Sequence, residues 1–139
     1  MSPTKKNKNI NNKTRKNNTQ EKVLKMFMNM LNTVKVYHWT TKSKAAHDGT
    51  DELYKALNER IDRFMELCIG KHSVKFKKLC YECNYVYTKT AFTKKVNEFK
   101  SFLISMSDLY DKDKDSDLLN IRDEILGDFN QVLYFLRMP

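Results

Sequence analysis

From Leu53 to Cys68 the apolar residues Leu53, Leu57, Ile61, Phe64 and Cys68 recur at intervals of three and four. That period fits one face of an α-helix and neither face of a strand. It returns in three other stretches. Residues 20–41 carry Val23, Leu24, Phe27, Leu31, Val34 and Tyr37, with His38 beside them, and Met26, Met28 and Met30 at gaps or edges. Residues 89–110 carry Phe92, Val96, Phe99, Leu103 and Met106, and residues 116–137 carry Leu118, Ile121, Ile125, Phe129, Val132 and Leu136. With three glycines and two prolines in 139 residues, the pattern predicts an all-α, four-helix core in one domain. The second helix is expected over residues 44–69 behind Ser43 as N-cap, with Asp48-Gly49-Thr50 as a competing start.

The same helix carries a second stripe. At about 100° per residue, His47, Asp51, Asp62 and Glu66 fall at roughly 0°, 40°, 60° and 100°. Imidazole nitrogens and carboxylate oxygens are ligands for iron and similar metals. The two i,i+4 pairs lie about 15 residues, or roughly 22 Å, apart, so one copy of the helix cannot close a site. A second copy running antiparallel across a two-fold axis sets His47 and Asp51 opposite Asp62 and Glu66, which predicts an intersubunit metal site.

The order His38-Trp39, then His47-x3-Asp51, then Asp62-x3-Glu66 resembles the ferroxidase signature of Dps proteins, the DNA-binding mini-ferritins. The gap from His38 to His47 is three residues shorter than is usual in that family. The resemblance implies a ferritin-like four-helix bundle with one long crossover, assembled as a two-fold dimer or a larger shell. It implies iron as cofactor, held by His38, His47 and Asp51 of one subunit with Asp62 and Glu66 of the partner subunit, and Trp39 as the neighbouring indole. The implied activity is that of a ferroxidase: oxidation of Fe²⁺ by peroxide or oxygen, with iron storage and protection of bound DNA. Asp113, Asp115 and Asp117 would line an iron-entry pore. The Asn- and Lys-rich composition is similar to that of ferritin-like proteins of large DNA viruses.

Residues 1–18 hold Lys5, Lys6, Lys8, Lys13, Arg15 and Lys16 and no acid, so +6 of the net +9 lies there. So few apolar residues cannot offset the ordering entropy, and a disordered basic tail is expected ahead of a bundle over residues 19–139. Such an arm suits DNA backbones, which it would bind without reading sequence. The plain alternative is a solubilising extension. A second functional reading is a non-enzymatic architectural protein that condenses DNA on the same bundle.

No run of about 18 apolar residues exists, so no membrane span is expected. The basic N-terminus lacks the apolar segment of a secretory signal. Three cysteines form no disulfide framework, which fits an intracellular setting: cytoplasm or nucleoid, or host cytoplasm or virion if the source is viral. Cys80-x-x-Cys83 lacks the further ligands of a zinc site. Asp113 to Glu124 mimics a calcium loop, but Leu118 stands where glycine is required. Residues 70–88, opening on Gly70 as a helix end, read as a long crossover with a second basic patch at Lys71, His72, Lys75, Lys77 and Lys78.

Overall fold

The computed structural model describes the backbone of residues 5–139 and the side chains of residues 18–139. Four helices appear in order: α1 (Lys5–Thr40), α2 (Lys44–His72), α3 (Lys89–Ser105) and α4 (Ser116–Leu136), with a short 3-10 turn at Met106–Asp108 after α3. Among the described residues there is no strand, and no helix is long and apolar enough to cross a membrane.

The apolar faces read from periodicity are the faces that pack. Leu53, Leu57, Ile61, Phe64 and Cys68 of α2 meet Phe92, Val96, Phe99 and Leu103 of α3 and the six expected residues of α4 in one buried cluster. On α1 the buried set is Val23, Phe27, Met30, Val34 and Tyr37, while Leu24 and Leu31 stay half-buried. Met30 thus takes a full core place where a gap or an edge was expected.

Side-chain contacts fix the helix directions. Phe27 meets Phe64 edge-on at 5.0 Å, and His38 stacks on His47 at 4.1 Å, so α1 and α2 form an antiparallel hairpin. Arg122 of α4 bonds the Leu103 carbonyl near the end of α3, and Phe129 meets Phe99, so α3 and α4 form a second. Tyr37, near the end of α1, stacks on Phe92 near the start of α3 at 4.2 Å. Residues 73–88, which contain no helix, therefore travel the length of the bundle from the end of α2 to the start of α3. Each hairpin helix packs on two neighbours; α1 and α4, like α2 and α3, lie across the diagonals.

Local chemistry sets the ends. Ser43 caps α2 by accepting a bond from the Ala46 N–H at 3.2 Å, so the earlier of the two possible starts is used and Gly49 lies inside the helix. Thr88 caps α3 in the same way through the Ala91 N–H. Gly70 does not end α2. The helix continues to His72 and closes on Ser73, whose left-handed φ of 50° lets its N–H reach the Ile69 carbonyl at 2.9 Å.

The backbone of α1 reaches back to Lys5, into a segment whose composition predicts disorder. Adding residues to an existing helix is far cheaper than starting one, and the packed part of α1 supplies the start. The side chains of Lys5, Lys6, Lys8, Lys13, Arg15 and Lys16 lie outside the described residues.

Candidate functional site

The structure brings two of the expected ligands together, at the turn between α1 and α2. His38 is 8% exposed near the end of α1, and His47 is exposed in the first turn of α2. Their rings stack with an interplanar angle of 22°. The His38 Nδ1 lies 2.9 Å from the His47 carbonyl oxygen and 3.1 Å from the Thr50 hydroxyl, and the His47 Nδ1 lies 3.1 Å from the His38 carbonyl oxygen. A carbonyl only accepts, so each Nδ1 carries the proton and donates it. Thr50 gives its own hydroxyl proton to the Ala46 carbonyl. The pair is a reciprocal clasp: each ring satisfies the backbone beside the other.

The remaining expected ligands do not join it. Asp51 pairs with Lys55 at 2.9 Å, and the hydrogen bond from that ammonium, with its charge, holds the Asp51 carboxyl below the ordinary carboxylate value. Asp62 and Glu66 are exposed three to five turns further along α2. Among the described residues no group of three or more His, Cys, Asp or Glu is placed to hold a metal ion. The expected iron centre of His38, His47, Asp51, Asp62 and Glu66 is therefore corrected, and with it the iron cofactor, the ferroxidase activity and the Dps-like iron storage built on it. The physical reason is that i,i+4 acids on a helix are as well suited to pairing with a lysine one turn away as to sharing an ion.

Trp39, expected beside the iron, is 68% exposed, with the Lys35 ammonium 5.7 Å from its ring. The same ammonium lies 4.4 Å from the Tyr54 ring centroid. Of the expected pore residues, Asp115 and Asp117 are engaged within the chain. Lys71 meets Asp115 at 3.1 Å and Asp117 at 2.8 Å, and His72 lies 3.6 Å from Asp115. The Lys71 bond pulls the Asp117 carboxyl below its ordinary value. Asp113 is exposed, its N–H donating to Asp111 Oδ1.

The cysteines are free. Burial pushes the Cys68 thiol up to about 11, so it is not a nucleophile at neutral pH. Burial raises Tyr110 as well, and both groups bond Gln20 Oε1, at 3.2 Å from Cys68 and 2.7 Å from Tyr110. Cys80 is exposed, and Cys83 donates to Asn29 Oδ1 at 3.3 Å.

One surface escaped the sequence reading. Between α3 and α4 lies an open groove of about 480 Å³, lined by half-buried Leu133 over the buried Leu136 and bordered by Lys89, Lys100 and Arg137. No carboxylate lines it, and none among the described residues pairs with those three cations. Its signal was present in the charge order: between Glu82 and Asp108 the sole acid is Glu98, which lies 3.4 Å from Lys95. The lysines come from α3 and the arginine from the residue that follows α4, so only packing collects them.

Fold and surface define an all-α protein, a four-helix arrangement of two hairpins joined by a long strap. The chain belongs to a family of unknown function, DUF5856, whose model matches residues 38–136, from the histidine clasp to the last buried residue of α4. Comparison with curated proteins and with solved structures gives no match.

Proposed function

We propose that this chain is a non-catalytic, ferritin-like bundle that binds nucleic acid through its phosphate backbone. The observation that carries the reading is the charge order: six cations and no acid within residues 1–18, against 20 basic and 17 acidic residues in the remainder. A cationic arm of this kind releases counterions from phosphates and gains affinity without base contacts. The ferritin-like assignment draws support from the topology of two antiparallel hairpins joined by one full-length crossover.

The test replaces Lys5, Lys6, Lys8, Lys13, Arg15 and Lys16 by glutamine in the full-length chain. Binding to a labelled oligonucleotide is followed by fluorescence anisotropy between 50 and 200 mM salt. The wild type binds with a steep salt dependence, and the variant loses most of the slope and at least about tenfold in affinity at the lower salt. Equal affinity and slope in the two proteins would refute the role given to this segment.

Pairing of two copies across the α1–α2 face belongs to the same reading. It draws support from the exposed Trp39, which shares the Lys35 ammonium with half-buried Tyr54, since large apolar surface left to water marks an interaction site. Sedimentation velocity gives twice the chain mass for the wild type and the single-chain mass for Trp39→Glu. A wild type that sediments as a single chain removes this part of the proposal.

A further inference from the structure

We infer that the α3–α4 groove is a second nucleic-acid contact, one that takes single-stranded rather than double-stranded backbone. The inference rests on the nucleic-acid reading above but on a different surface. Lys89 and Lys100 are eleven residues apart on α3, about 16 Å along the helix axis. A single phosphate cannot reach both, so the ligand carries several negative charges along its length. Arg137 borders the groove from the C-cap of α4, and the Lys89 ammonium lies 3.5 Å from the nearby Met138 carbonyl, which places these two cations at the same end. Lys100 stands at the other.

The surface between them is not uniformly charged. Half-buried Leu133 gives an apolar floor above the buried Leu136, and Thr93 offers a hydroxyl from α3. Tyr87, two residues before Lys89 in the chain, is 63% exposed. Duplex nucleic acid presents phosphates outward and keeps its bases stacked inside, which leaves an apolar floor and an exposed ring without use. A single strand offers phosphates to the cations while its sugars and bases are free to rest on Leu133 and Tyr87, the combination of charge and stacking that single-strand binding requires. An acidic peptide would meet the cations but gain little from the ring.

The experiment uses the full-length chain and a labelled oligothymidylate, with anisotropy read across the same salt range. Three proteins are compared with the wild type: Lys89→Gln/Lys100→Gln/Arg137→Gln; Lys89→Arg/Lys100→Arg/Arg137→Lys, which keeps the charges; and the glutamine-substituted N-terminal variant. The groove variant is expected to lose about two units of the log–log salt slope, from three contacts at about 0.7 each on a single strand. The charge-keeping variant retains the slope, which separates lost contacts from lost folding. In the groove variant, affinity for a duplex of equal length falls less than affinity for the single strand.

A groove variant with the wild-type slope, while the N-terminal variant loses its own, overturns the groove inference and leaves the proposed function standing. An equal loss for duplex and single strand overturns the single-strand preference. Displacement of the oligonucleotide by poly-glutamate at equal charge concentration overturns it in favour of an acidic protein partner. A wild type that binds no oligonucleotide at all overturns both.

Discussion

Gln20, Cys68 and Tyr110 come from α1, α2 and the loop between α3 and α4, and they close one end of the core with a polar contact. Gln20 is 2% exposed, and no buried side-chain nitrogen or oxygen among the described residues lacks a partner. Tyr110→Phe removes the stronger of the two donors to Gln20 Oε1 and leaves a thiol, a weak donor, to satisfy it. Urea unfolding is expected to show a loss of about 1–2 kcal/mol with an unchanged m-value; a midpoint equal to that of the wild type would mean the contact contributes nothing. None of this was legible beforehand, because a glutamine at the start of a periodic stretch looks like a surface residue. The histidines were legible as a pair of interest, but not as what they are. Spacing brings His38 and His47 to one turn, yet it does not reveal that both Nδ1 protons go to carbonyl oxygens, or that Asp51 is engaged by Lys55.

At the scale of a helix, periodicity located all four elements and nearly all of their buried faces, because burial selects the apolar arc directly. It failed where a neighbour decides. The 3.6-residue period leaves Leu31 and Met30 as adjacent candidates on α1, and only the positions of α2 and α3 select Met30. Gly49 is a second case. A glycine inside a helix costs about 1 kcal/mol relative to alanine, and its value here lies across the bundle: a Cβ at Gly49 would sit 3.0 Å from the Phe135 Cβ and 3.3 Å from its Cγ. Gly127, in α4, has nothing within 4 Å of an added Cβ. Gly127→Ala is therefore expected to raise stability by about 1 kcal/mol. Gly49→Ala is expected to lower it by about 1 kcal/mol, since overpacking outweighs the same propensity gain. Thermal melts of the two variants decide the point: equal stabilisation would show that α4 yields freely at Phe135.

For the molecule as a whole, helical periodicity foretold four helices and the length of residues 70–88 foretold a crossover, while the resemblance carried by residues 38–66 foretold an iron chemistry that the described residues do not build. Ligand types in a plausible order are compatible with many side-chain partners: here carbonyl oxygens take the two histidines and Lys55 takes Asp51, while Asp62 and Glu66 stand exposed further along α2. The strap at residues 73–88 has a different kind of consequence. By carrying the chain back along the bundle before α3 begins, it makes every pair of packed neighbours antiparallel and leaves parallel pairs only across the diagonals. Helix macrodipoles then alternate around each end of the packed bundle, and their fields largely cancel. The polarity of the molecule, with Lys89 and Arg137 toward one end and the Asp111–Asp117 loop toward the other, is therefore written in side chains alone. It answers to single substitutions as a backbone field would not, and salt screens it over about 10 Å at 0.1 M ionic strength.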